Sequence, residues 1–230
     1  MIIAIDGPSG AGKSTLGKML AKKLGLLYLD TGAMYRAVAL AVQTRALDLH
    51  NEKKVVEVAR NASIELIGPP DDLKVLLDGL DVSTAIRTPE VAHAASVVST
   101  IADVRRIMVD HQREIGGRDP KGCVLEGRDI GSVVFPKADV KFFLTAKPEA
   151  RARRRFMEHS EKERATTYEQ TLAEINERDE RDVSRHDSPL TIAEDATVID
   201  TSELDLSEVF EQMVAVVQKT TTRSRDGQLL

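Results

Sequence analysis

The sequence is short of the residues that several functional classes depend on. Its 230 residues include one cysteine, Cys123, and no tryptophan, and aromatic residues make up only 3%. A lone thiol forms no intramolecular disulfide and builds no multi-cysteine metal site. So few rings leave no stacking platform for single-stranded nucleic acid. Long apolar runs are missing as well. The longest, residues 37–42, is far below the ~20 residues that cross a bilayer. The first apolar stretch, residues 1–5, leads straight into a glycine-rich loop, unlike a secretion signal. Nor is there a surplus of positive charge. The 32 basic and 37 acidic side chains leave a net charge of −5, so a nucleic acid polymer is a poor partner. With 42% apolar and 30% charged residues, the chain reads as a soluble cytoplasmic protein long enough to bury a large core. No large apolar seam stands out, so a monomer is expected.

What is present alternates short strands with helical spacing. Residues 1–5 are apolar without alternation, the pattern of a strand buried on both faces of a parallel sheet. After a turn at residues 6–12, Leu16, Met19, Leu20 and Leu24 recur at helical intervals until Gly25 closes the helix. A second strand is expected at 26–29, ending at Asp30, with a helix opening at Thr31. Further strands are expected at 123–126, 140–144 and 197–200, then a helix at about 207–218. This order predicts an α/β fold with a parallel sheet flanked by helices. Two stretches interrupt it. Ile64–Ile67 and Lys74–Leu77, with Gly68-Pro69-Pro70 between them and Asp78-Gly79 after, read as a small inserted antiparallel unit. Residues 149–185 hold eight Arg, one Lys and ten acids, which alone would suit a solvated helical surface. Residues 219–230 are mostly polar and expected to fray.

One segment carries chemistry outright. Gly7-Pro8-Ser9-Gly10-Ala11-Gly12-Lys13-Ser14 is a complete G-x-x-x-x-G-K-[ST] loop between a strand and a helix, with Thr15 following. Its glycines let backbone N–H groups curl around a phosphate chain, and the helix N-terminus adds a positive field. Lys13 offers a mobile charge to the β and γ phosphates, and the Ser14 hydroxyl suits Mg²⁺. The loop predicts binding of a nucleoside triphosphate. A GTPase switch would need an N/T-K-x-D motif. Pro136-Lys137-Ala138-Asp139 lacks its first residue, and the D-x-x-G of Asp119-Pro120-Lys121-Gly122 precedes a strand rather than following one. A small kinase remains, and it needs a second cationic set for its acceptor. Arg36 lies six residues past the strand-ending Asp30. Arg128 and Asp129 follow the strand at 123–126, and Arg178, Asp182 and Arg185 are spaced to share one helix face.

Together these blocks resemble bacterial cytidylate kinases. The similarity rests on the loop at 7–15, Asp30-Thr31-Gly32-Ala33-Met34-Tyr35-Arg36, residues 86–91, the Gly127-Arg128-Asp129-Ile130-Gly131 block running on to Pro136, and Glu177 to Asp182. It runs in order from residue 1 to about 215. The resemblance implies a P-loop kinase moving a phosphoryl group from ATP to CMP or dCMP with Mg²⁺. It implies one kinase domain with a core of about 1–62, 100–148 and 186–218. The insert, about 63–99, would bind the acceptor, and residues 149–185 would supply the lid and Arg-rich helices. Arg36, Arg128 and Arg185 would bind the acceptor 5′-phosphate; Ser96, Arg105 and Asp129 would read cytosine; Arg178 and Asp182 would face the sugar. Thr31 stands where a serine is equally expected and keeps the hydroxyl. Glu126 would hold a Mg²⁺-bound water. Arg151, Arg154 and Arg155 resemble lid arginines. Arg151 and Arg155 are the ATP-binding candidates, with the choice among the three open. Catalysis would rest on charge neutralisation by Lys13, Arg128 and Arg185.

Overall fold

The computed structural model describes residues 1–161 and 166–226; residues 162–165 of the expected lid and 227–230 of the expected tail lie outside them. The chain opens with β1 (Ile2–Asp6), α1 (Lys13–Leu24), β2 (Leu27–Asp30), α2 (Thr31–Thr44) and α3 (Glu52–Asn61). Three short strands follow, β3 (Ile64–Ile67), β4 (Lys74–Leu77) and β5 (Leu80–Asp81), then α4 (Pro89–Val98) and α5 (Ala102–Gly116). The remainder is β6 (Cys123–Gly127), a π-helical turn over Ile130–Val134, β7 (Val140–Thr145), α6 (Pro148–Glu161), α7 (Tyr168–Ser184), β8 (Thr197–Asp200) and α8 (Leu206–Asp226).

The main sheet is parallel throughout, in the order β2-β6-β1-β7-β8. Its central strand β1 buries Ile3, Ala4 and Ile5 completely, which is why that stretch shows no alternation. Helices α2, α4 and α5 cover one face through Met34, Val38, Val98 and Met108. On the other face α1 and α8 contribute Leu16, Leu20, Val209 and Met213. Gly25 closes α1 in the left-handed region at φ 65°, as its position suggested.

The insert is a three-stranded antiparallel sheet rather than a two-stranded one. Its third strand, β5, has two residues with exposed side chains, too short to register as a pattern. The charged stretch divides into α6 and α7, and Thr167 with Gln170 forms a capping box that starts the second helix. Arg185 lies just past the end of α7 instead of within it. At the C-terminus, α8 continues to Asp226 where fraying was expected from residue 219. The hydroxyls of Thr220, Thr221 and Thr222 donate to the carbonyls of Val216, Val217 and Gln218, and Val217 is buried, so polar composition there does not end the helix. No described helix is long and apolar enough to cross a membrane.

Candidate active site

A cleft of about 840 Å³ opens at the carboxyl ends of β1, β2 and β6, where open α/β sheets collect ligands. One wall is the phosphate loop. Ser9 through Thr15 line it, whereas Gly7 and Pro8 lie behind. Gly7 has φ 143°, and an added Cβ would sit 2.0 Å from the Leu144 carbonyl oxygen, so only glycine lets the loop leave the sheet here. Pro8 contributes its carbonyl, which accepts from Lys13 Nζ at 2.8 Å. Lys13 is buried at the start of α1. Burial, reinforced by the positive charge of Arg128, pushes its amine down to about 7. Its charge is thus suppressed until an anion arrives to support it.

Beside Lys13 lies Glu126, also buried. Its carboxylate accepts a hydrogen bond from the Tyr28 hydroxyl, and burial together with Asp30 holds it above the usual carboxylate range, with Ser14 near enough to lower it slightly. Thr31 donates its hydroxyl proton to the Glu126 carbonyl at 2.7 Å while lining the cleft. Among the described residues there is no group of three or more His, Cys, Asp or Glu suited to a metal. One hydroxyl and one carboxylate side by side are a hard-oxygen pair of the kind Mg²⁺ uses when phosphates and waters complete its shell. A buried carboxylate held in this way would also be relieved by a cation. The residues fit the ion.

The opposite wall is built from side chains of five separate elements: α2, α4, α5, the turn after β6 and α7. Asp129, after β6, pairs with Arg105 of α5 at 2.5 Å, and both are buried. The Arg105 guanidinium also donates to the Ser99 carbonyl and lies 5.6 Å from the centre of the Tyr35 ring. Arg128 turns its Nε to Asp182 of α7 at 2.7 Å, and Asp182 lies 3.6 Å from Arg185. Asp182 is therefore a buried hub and not half of a surface pair. Burial alone would raise its carboxyl, but Arg128, Arg178 and Arg185 hold it below the usual range. Arg36 pairs with Asp30 at 2.8 Å.

Several buried donors here make no hydrogen bond to any described residue. They are Arg36 Nε, Arg105 Nε, Arg178 Nε, Arg185 Nη2 and the Ser96 hydroxyl. Buried polar groups are normally satisfied, so this concentration marks a place for a ligand rich in acceptors. Burial and the neighbouring Arg128 push Arg178 down to about 9, and burial with Arg105 lowers Arg185. Cations crowded in this way favour an anion among them.

The three lid arginines separate clearly. Arg151 does not line the cleft. It is buried beneath the loop, where its guanidinium donates to the carbonyls of Ala146 (2.8 Å) and Ser9 (3.1 Å) and grips both carboxylate oxygens of Asp179 in α7. With its donors so engaged it is a strut between the phosphate loop and α7, away from the cleft in which an ATP-binding residue was expected. Arg154 and Arg155 do line the cleft. Arg154 donates to the Thr201 hydroxyl and carbonyl and to the Gly10 carbonyl. Arg155 pairs with Glu158, at 3.6 Å, among the described residues. Tyr35, whose ring lies against Arg105, and Asp6, whose bonds are described below, were not legible as site residues. His186 is exposed beside Asp187, and burial pushes the Cys123 thiol up to about 12, so neither joins the chemistry.

Comparison with known proteins agrees with this geometry. Residues 3–219 match the family model described as cytidylate kinase. The chain belongs to the cytidylate kinase family. It is 51% identical over 219 residues to a cytidylate kinase of Caldanaerobacter subterraneus subsp. tengcongensis, covering 95% of each chain. It is 49% identical over 228 residues to that of Solibacter usitatus, covering 98% of this chain and 96% of the relative. Cytidylate kinase 1 of Haemophilus influenzae is 46% identical over 219 residues, at 95% and 94% coverage. Among solved structures, an uncharacterized protein from Eubacterium ventriosum aligns over 95% of this chain and 98% of its own, with TM-score 0.53 and 12% identity, a likeness of fold alone.

Proposed function

We propose that the protein transfers the γ-phosphoryl group of ATP to CMP and dCMP, giving CDP and dCDP. The observation that carries this reading is the buried Arg105–Asp129 pair at the far wall of the cleft, beside a cluster of unpartnered cationic donors. Cytosine presents an exocyclic amine next to acceptors at N3 and O2. The Asp129 carboxylate accepts from the amine while Arg105 and the Ser96 hydroxyl donate to the ring. UMP would set a carbonyl oxygen against the Asp129 carboxylate, leaving two acceptors opposed. Arg36, Arg128 and Arg185 hold the acceptor phosphate; Arg178 and Asp182 lie along the sugar.

On the donor side, residues 9–15 surround the ATP phosphates with backbone N–H groups, and Lys13 meets the β and γ oxygens. Arg154 and Arg155 close over them. Ser14 and Glu126 would hold Mg²⁺, which when bound neutralises phosphate charge and fixes the phosphate chain. An acceptor phosphate is already a competent nucleophile, so no strong base is required. Lys13, Arg128 and Arg185 instead meet the charge of the group in flight, and closure excludes the water that would intercept it. The protein acts as a monomer.

A coupled ADP-release assay with ATP-Mg²⁺ and CMP, dCMP, UMP, AMP or shikimate tests the reading. CMP and dCMP should give the greatest release. Release with none of them removes the enzyme reading, and release greatest with AMP removes the base reading. Asp129→Ala should then lower kcat/KM for CMP more than for UMP, narrowing the preference by ~1–3 kcal/mol, the scale of one base contact. An unchanged ratio would mean that Asp129 does not read the base.

A further inference from the structure

Asp129 occupies the N-cap position of the π-helical turn Ile130–Val134, yet its side chain makes no capping hydrogen bond. An aspartate at such a position ordinarily turns its carboxylate back onto the first free N–H groups of the turn. Here the first two N–H groups of the turn, the second of them an ordinary capping target, are taken from another strand. Asp6, the last residue of β1, is buried, and its carboxylate accepts the N–H of Ile130 at 2.8 Å and of Gly131 at 2.7 Å. The two residues stand 124 and 125 positions away in sequence. Asp6 does not line the cleft and immediately precedes the phosphate loop.

We propose that Asp6 is a positioning residue for base recognition: by capping the turn in place of Asp129, it releases the Asp129 carboxylate to pair with Arg105 and face the acceptor base. The Gly131 N–H cannot serve both carboxylates, so the bond to Asp6 removes one of the two capping positions open to Asp129 and favours its turning away. Charge works in the same direction. The two carboxylates repel, and burial pushes the Asp6 carboxyl up to about 6. Asp129 escapes that repulsion by turning toward Arg105. The device also fixes the end of the phosphate-loop strand to the base-reading turn, so the donor and acceptor subsites share one brace.

The inference rests on the proposed reading of cytosine by Asp129, and the experiment separates the two. In Asp6→Ala the freed N–H groups should draw the Asp129 carboxylate back to its own turn. The kcat/KM preference for CMP over UMP should fall roughly ten-fold, approaching that of Asp129→Ala. Added to Asp129→Ala, the Asp6 substitution should not move the ratio again. A folded Asp6→Ala protein with the wild-type ratio, or ratio losses that add in the double variant, would overturn the proposal. Should Asp6→Ala fail to fold, a milder variant and a control decide. Asp6→Asn keeps one acceptor oxygen. Gly131→Ala is the control, since its new Cβ would press on Lys141 Cδ at 3.0 Å and meet Asp6 Oδ2 at an ordinary 3.4 Å, and it should keep the wild-type ratio. A wild-type ratio in Asp6→Asn overturns the proposal. A crystal structure of a folded variant needs no substrate: Asp129 bonded to the Ile130 or Gly131 N–H supports the inference, and Asp129 still on Arg105 sinks it. If the wild-type enzyme does not prefer CMP, the base reading fails, and that structure alone judges the brace.

Discussion

The two walls of the cleft are made by opposite strategies. The donor wall is one contiguous loop, residues 7–15, acting through backbone N–H groups and a single buried lysine. The acceptor wall is assembled from α2, α4, α5, the turn after β6 and α7, and it acts through side chains linked as ion pairs. A backbone loop recognises any phosphate chain, because every nucleotide presents the same oxygens. A constellation of side chains can distinguish one base from another, but only if distant segments are held in register. Generic binding is local here, and selectivity is long-range.

The largest effect should fall on the donor wall. Lys13→Ala should leave the fold intact and lower kcat by on the order of 10²–10³-fold, since it removes a charge contact that strengthens in the transition state. Steady-state kinetics with circular dichroism checks this, and near-wild-type turnover would break the contrast at once.

Next come Arg185→Ala and Arg36→Ala. Each should weaken CMP use by about 2–4 kcal/mol, the loss of a charge-assisted contact, with little change in ATP binding. Separate titrations of the two substrates decide it. A collapse of ATP affinity with CMP unaffected would mean that the walls have been exchanged.

Arg151 joins the walls, so its substitution should not respect the division. Arg151→Lys keeps a charge but loses the planar fork that holds Asp179 and Ser9 together. Apparent affinities for both ATP and CMP should weaken by about 1–2 kcal/mol. Arg155→Ala, by contrast, should affect ATP alone. A change confined to ATP in Arg151→Lys would restore Arg151 to the lid.

The smallest effect is a proton. With its amine pushed down to about 7, Lys13 should be partly neutral in the free enzyme, and phosphates bound at the loop should restore its charge. Calorimetry in buffers of different ionisation enthalpy should register uptake of about half a proton at pH 7, approaching one at pH 8. Lys13→Ala should abolish it. The linked effect on stability has a definite sign. Unfolded Lys13 binds its proton up to about pH 10.5, so the free fold gains stability as pH rises from 7 toward that value. Bound ATP removes the gain.

The same division explains what was legible in the sequence. The loop, its flanking strand and helix, and most of the sheet could be read because each is a contiguous pattern. The acceptor arginines were found through short blocks, but their pairings were not. Asp129 might be expected to orient its neighbour Arg128, whereas Arg128 pairs with Asp182 and Asp129 with Arg105. Arg151, Arg154 and Arg155 sit within five residues and look alike, and only packing makes one of them a strut. Asp6 and Tyr35 were missed because the groups that give them meaning lie 124 and 70 residues away. The third strand of the insert, two exposed residues, offers no periodicity to find.

The order of the main sheet has a consequence for how the protein is made. Neither β1 nor β2 pairs with the other; β6 lies between them and pairs with both. A chain emerging from the ribosome therefore makes no hydrogen-bonded pair in this sheet until residues 123–127 have been synthesised. The strand that leads into the phosphate loop is thus made well before the strand that anchors it. During that interval the apolar strands 2–6 and 27–30 have no partners, a high-contact-order beginning that slows folding and exposes adhesive surface. Chaperone dependence should track the delay before β6 arrives more closely than the overall stability of the finished enzyme.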